Sequence, residues 1–446
     1  MTKRTLLSTR PALLAAGLCL AFGAGAQQNV KPPKLQLWMD LSTGGMAGMP
    51  EMDMPASMGG MFGGRGGPGG GNTSYGQARG MNVMPARVLD IALYNSLKPG
   101  AEAAQAVPPG LRMGDKLPLV PPQPQAVPRE REPGEMSEDM RRETPKGRIL
   151  IYWGCGNAVR GGQPRVIDLA RANPADMGAA FAGRNAPDRG ARVTPQHALF
   201  PNEKNRVNVP RDASLVGEHQ VLGEGVPASM KFTLAAAQNL MPAIELQSRG
   251  GLKDSIALNW AAVPQVRAYF LHAMGQVGND LVMWSSAENA DSGMGLFDYL
   301  PNASIDRWLK DNTLLKPETT ACAVPKGIFA GPEGAARGDG SPAMLRMIAY
   351  GSESNFAHPP RPTDPKIAWE PEWAVRVRVK ANTMAMLGED SSGRGNAASA
   401  TPGAPSTPGA AAAPAAAPAT PLQSAVDAVL PGAGAATGLI KGLFGR

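Results

Sequence analysis

Residues Trp373–Lys380 alternate without a break: Trp373, Val375, Val377 and Val379 face one way, Arg376, Arg378 and Lys380 the other. A period of two is the geometry of a strand. Short runs of the same kind recur at Leu35–Asp40, Arg87–Tyr94, Arg148–Trp153, Arg165–Leu169, Lys231–Leu234, Ala243–Gln247, Ser255–Trp260, Ala268–Met274, Leu281–Ser285 and Met344–Tyr350. Their spacing predicts a mainly β fold built of antiparallel β-sandwich modules. One helix interrupts them, predicted over residues 304–315, with Ser304 as its cap and Ile305, Trp308 and Leu309 on one face. No apolar run reaches the ~18–20 residues of a membrane-crossing helix, which excludes a helical multispan protein.

Glycine and proline supply 97 of the 446 residues, and aromatic residues only 5%. That is too little core-forming material for one continuous globule of this length, so ordered blocks should alternate with structureless ones. The expected division is a signal peptide at 1–26, N-terminal strands at 27–97 around a Gly/Met-rich loop at 41–80, and a Pro-rich, charged linker at 98–147. A β-rich segment at 148–215 and a sandwich-like domain at 216–387 follow. An Ala/Pro-rich linker at 388–420 leads to an amphipathic C-terminal segment at 421–446.

Lys3, Arg4 and Arg10 precede an apolar stretch from Pro11 to Phe22 and the small-residue run Ala24-Gly25-Ala26. This order is that of a secretory signal peptide, so the expected location is periplasmic or extracellular. Removing residues 1–26 lowers the net charge from +7 to +4, and no nucleic-acid partner is expected from so mild an excess. It also leaves two cysteines, Cys155 and Cys322. An even pair in an oxidising compartment favours a disulfide, two buried free thiols being the alternative.

Leu258-Asn-Trp260-Ala-Ala-Val263-Pro-Gln-Val-Arg-Ala-Tyr269 resembles the B–C strand signature of fibronectin type III modules, with a Trp, a Val-Pro turn and a Tyr nine residues after the Trp. Leu315-Lys-Pro317-Glu-Thr319 is similar to that family's approach to its tyrosine corner, although Ala321 and Cys322 stand where the tyrosine would be. The resemblance implies that Trp260 plugs the space between two sheets while Tyr269 packs from the next strand. It implies a binding or spacer fold and carries no catalytic residues.

The spacings of a phosphate-binding loop, a zinc protease, a nucleophile elbow, a C-x-x-C pair and an EF-hand are all absent. His197, His219, His272 and His358 are too far apart in sequence to form a local metal site. The unusual cluster is Met46, Met49, Met52, Met54, Met58 and Met61. Thioethers are soft ligands suited to Cu(I), and the segment resembles methionine-rich motifs of exported copper-handling proteins. Its bland reading is an adaptable Gly/Met loop. Arg376, Arg378 and Lys380 are expected to be the solvated side of their strand, with contact to an anionic glycan as the functional alternative. Leu422, Ala425, Val426, Val429 and Leu430 form a narrow apolar stripe from which 421–446 would contact a membrane surface. The leading expectation is an exported, non-catalytic envelope protein that scaffolds or binds, its partner an envelope protein or glycan. Behind it stand a periplasmic Cu(I) binder and a hydrolase with a scattered site.

Overall fold

The computed structural model of the chain describes residues 28–49, 75–82, 86–123, 147–172, 183–331 and 343–388. Its early strands are β1 (Leu35–Thr43), β2 (Arg87–Asn95), β3 (Ala103–Ala106), β4 (Lys116–Leu119), β5 (Arg148–Trp153) and β6 (Arg165–Asp168). Then come β7 (His197–Phe200), β8 (Gly217–Gly223), β9 (Lys231–Leu234), β10 (Leu246–Arg249) and β11 (Ile256–Trp260). The last are β12 (Ala268–Val277), β13 (Asp280–Ser285), β14 (Ala321–Val324), β15 (Ala343–His358) and β16 (Trp373–Leu387). Helix α1 (Asn302–Lys310) lies between β13 and β14.

The protein is mainly β. One nine-stranded sheet runs β6-β5-β13-β12-β15-β16-β1-β2-β7, and two small sheets run β4-β3-β8-β9 and β10-β11-β14. Most pairings are antiparallel; β1–β16 and β5–β13 are parallel. The β1–β16 pairing sets the first strand beside the last, so the central part of the large sheet closes only when both ends of the folded region are present.

Alternation decides the layering. Leu35, Leu37, Met39 and Leu41 of β1, Leu89, Ile91 and Leu93 of β2, and Val375, Val377 and Val379 of β16 all point to one face. There they share a single core with Leu117, Val221 and Leu234 of the four-stranded sheet and Leu246, Leu258 and Val324 of the three-stranded one. Both small sheets therefore cover the inner face of the large one. Trp260 of β11 and Tyr269 of β12 meet across this interface with ring centroids 5.5 Å apart, edge to face. The Val263 amide donates to the Tyr269 hydroxyl at 2.9 Å.

On the outer face, segments 75–82, 183–192 and 287–300 and helix α1 form a second layer. Phe270, Ile348 and Tyr350 of the sheet pack there against Leu296, Ile305 and Trp308. Arg184 fastens this layer internally, bonding Asp291 at 3.1 Å and Asp311 at 2.8 Å.

Two expectations are corrected. Residues 98–123, read from their prolines as the start of a linker, carry β3 and β4, and Pro118 is accommodated because β4 is an edge strand. The helix begins at Asn302 after Pro301 and ends at Lys310; Ser304 lies inside its first turn and caps nothing. Residues 1–26, read above as a signal peptide, Met52–Met61, the expected 388–420 linker beyond Gly388 and the 421–446 segment lie outside the described residues.

Cys155, just after β5, is bonded to Cys322 on β14, with Cα atoms 5.2 Å apart and 167 residues between them. The bridge clamps the large sheet to the three-stranded one. Loop-closure entropy for so long a span corresponds to about 5 kcal/mol. The variant Cys155→Ala/Cys322→Ala is therefore expected to lower the urea midpoint substantially and to raise the slope, because the unfolded chain is no longer cross-linked. Two alkylatable thiols in protein purified without reductant would contradict the clamp.

Candidate functional site

The charged side of β16 is not solvated. Arg378 is 2% exposed and Lys380 fully buried, because the outer layer closes over them. Register explains what they meet. Asp40 on β1 is the direct partner of Arg378 on one side and of Asp90 on β2 on the other. A bulge in β15 adds one residue between Tyr350 and Glu353, which keeps both on the outer face and sets Glu353 beside Arg378. The result is a buried row, Asp90–Asp40–Arg378–Glu353, across four strands.

Arg378 grips Asp40 in a forked pair, Nε to Oδ1 at 2.6 Å and Nη2 to Oδ2 at 2.5 Å. Lys380 Nζ donates to the Gly80 carbonyl at 2.7 Å and the Phe297 carbonyl at 3.2 Å, tying both covering segments to the sheet. The Tyr299 ring lies against both cations, 4.5 Å from the Arg378 guanidinium and 4.7 Å from the Lys380 ammonium. At Gly190 the covering backbone comes so close that a Cβ would stand 2.8 Å from Arg378 Nη2. Beside the row, Asn82 Oδ1 accepts from Ser42 Oγ at 2.6 Å and from Asn382 Nδ2 at 2.7 Å.

Burial dominates the titration of this row. Asp90 is pushed up to about 8 by desolvation and by the Asp40 charge, although its Oδ2 accepts from the Gly76 and Ala78 amides. Lys380 is pushed down to about 8 by desolvation. Around neutrality Asp90 is thus mainly a neutral acid. Asp40 lies in the forked grip of Arg378, the partner a buried guanidinium requires.

At the groove end of the row β16 reaches a different surface. A groove of about 760 Å³ opens between β9, the end of β15, the start of β16 and the chain entering β1. Lys31, Arg189, Lys231, Arg361 and Arg376 line it, and no acidic residue does among the described residues. Its walls are Phe232, Phe356, Trp369 and Trp373. Glu353, buried behind the groove, is shared by Arg189 at 3.1 Å and Arg376 at 3.9 Å, one carboxylate for two guanidiniums. The Arg189 carbonyl and Asn355 Oδ1 hold the Arg376 guanidinium in place. Arg361 lies over the Trp369 ring and donates to Gln28 Oε1 at 2.6 Å. Trp373 stacks on His358 and donates to Ser229 Oγ, so its indole is fixed before any ligand arrives. Lys31 is drawn to Glu370 at 2.5 Å, with both side chains exposed. The balance remains cationic.

The residues singled out from sequence are placed differently. Cys155 is bridged and has no free thiol. The four histidines stand on four strands. His197, His219 and His272 are held neutral by burial, His272 down to about 3. The His219 ring lies between Gln105 Nε2 and the Leu215 carbonyl. Among the described residues no three His, Cys, Asp or Glu side chains converge as metal ligands. Met46 and Met49 are exposed at the end of β1, and Met46 bridges to Met384. The groove was missed because its residues are scattered from Val30 to Arg376. Its one local signal was a pair of tryptophans, 369 and 373, in a proline-rich stretch. No protein family, curated protein or solved structure matches this chain.

The sign of the Asp90 shift gives a stability test. Its folded value exceeds its unfolded one, so its contribution is complete below about pH 4 and is lost as the pH climbs to about 8. Lys380 acts in the opposite sense: its contribution is complete near pH 10.5 and is lost as the pH falls to about 8. Between pH 5 and 7 the advantage of the wild type over Asp90→Asn should shrink by about 1.4 kcal/mol per pH unit in urea denaturation. A difference that ignores pH would show that Asp90 is ionised throughout.

Proposed function

We propose that this chain is an exported, non-catalytic protein of the cell envelope that binds an anionic ligand, an acidic glycan, along the groove. The observation that carries the reading is the lining itself: five cations and four aromatic rings, with no carboxylate among the described lining residues. Guanidiniums suit carboxylates or phosphates. Indole and phenyl faces suit the apolar faces of sugar rings, and several of these groups are already oriented by their own hydrogen bonds. Export is supported by the basic head and short apolar run at the N-terminus. The bridged Cys155 and the separation of the four histidines, three of them (His197, His219 and His272) kept neutral by burial, favour binding over a hydrolase.

Protein recovered from the periplasmic fraction, its N-terminus at Gln27, should bind a uronic-acid oligosaccharide more tightly than the neutral sugar of equal length. Salt should weaken that binding. Lys231 and Arg361 are exposed, so Lys231→Glu/Arg361→Glu should leave the melting temperature unchanged and lower affinity by about tenfold or more in calorimetry. Equal affinity for acidic and neutral sugars, or no effect of the double reversal, would remove the reading.

A further inference from the structure

At the far end of β16 from the groove, the outer face of the large sheet carries a row of methionines. Met283 on β13 is the direct partner of Met274 on β12, Met274 of Met344 on β15, and Met344 of Met386 on β16. All four share one face, because their strand neighbours Val282, Ala273, Ala343, Leu345, Ala385 and Leu387 point into the core on the other. Side chains directly opposite across a ladder have Cβ atoms ~4.5–5.5 Å apart. The flexible thioether arm spans that gap readily. Met283 is fully buried, whereas Met274, Met344 and Met386 are half-buried, so the row is closed at one end and accessible at the other.

A second concentration of methionine arrives at the same place by a different route. Met384, two residues before Met386, exchanges backbone hydrogen bonds with Gly45 and Ala47, 3.1 and 2.7 Å, on either side of Met46. Residues distant in sequence thus bring Met46 and Met384 to the margin of the row. The charged group nearest in register is Arg346, the partner of both Met384 and His272. A cation at that position repels a divalent ion twice as strongly as a monovalent one. Met283 and Met274 also pack against Ile149, Ile151 and Ile167, whereas Met344 and Met386 belong to none of the described core clusters.

We propose that Met274, Met344 and Met386, with Met384 and Met46 at the margin, form a thioether site for a soft monovalent metal ion, Cu(I) or Ag(I). Three neutral sulfurs select such an ion over Zn²⁺ or Mg²⁺. The site is independent of the groove, and it differs from a site made by the Met46–Met61 segment alone.

Ag(I) is the probe, because it needs no reductant and leaves the Cys155–Cys322 bridge intact. Full mature protein is titrated with Ag(I) in chloride-free buffer, beside Met274→Leu/Met344→Leu/Met386→Leu and a segment variant with Leu at 49, 52, 54, 58 and 61. Leucine conserves volume, so the row should still pack. The row variant is expected to lose one bound ion or at least tenfold in affinity, and the segment variant, which retains Met46, to keep that ion. Retention by the row variant, or loss only in the segment variant, overturns the proposal. X-ray absorption of Ag(I)-loaded wild-type protein tests it without any substitution: a sulfur-only shell is expected, and a nitrogen or oxygen shell contradicts it.

Discussion

The pair between Asp40 and Arg378 is the constraint from which the site follows. It joins β1 to β16, the first and last strands of the fold, in their only parallel register, with both side chains 2% exposed. A slip of one residue would turn every side chain on a strand to the opposite face. Arg378 would then enter the apolar core and leave Asp40 buried without its counter-ion. Between registers two residues apart, which keep the apolar pattern on the same face, the cost of an unpaired buried charge, several kcal/mol, is what decides. The pair therefore acts as a register pin, a role well suited to buried charges whose net stabilisation is small.

Once that register is fixed, the remaining polar groups have determined partners. Lys380 meets the carbonyls of Gly80 and Phe297, so the covering segments dock where their backbone acceptors are needed. Tyr299 fills the space between the two cations. At the edge of this layer Arg376 is the cation of β16 that reaches a surface. It does so already held by Asn355 and the Arg189 carbonyl. The groove is thus the outward end of a structural network, and its guanidinium geometry is set from the inside.

Much of the fold was legible in the sequence. The alternation of β16 assigns Trp373, Val375, Val377 and Val379 to the core and their neighbours to the opposite face. What it does not contain is what lies on that second face, because the cover comes from residues 75–82 and 287–300. Solvent was the default expectation, and it was wrong for Arg378 and Lys380. Strands β3 and β4 were missed for a different reason: Ala103–Ala106 and Lys116–Leu119 have low intrinsic strand preference, and they are strands through pairing with each other and with β8. The groove and the methionine row are products of register, which joins residues hundreds of positions apart. No local window of the sequence displays the methionine row, and the groove's local signal is the pair Trp369 and Trp373.

The most direct measurement is a double-mutant cycle on the pin itself, with Asp40→Leu, Arg378→Met and their combination unfolded in urea. Each single change leaves one buried charge alone and is predicted to cost about 3–5 kcal/mol. The double change removes both charges and should cost far less than the sum, giving a coupling above about 2 kcal/mol. Singles that add to within about 0.5 kcal/mol would mean that the two residues do not act as a pair, and the account of the register and of the site built upon it would fail.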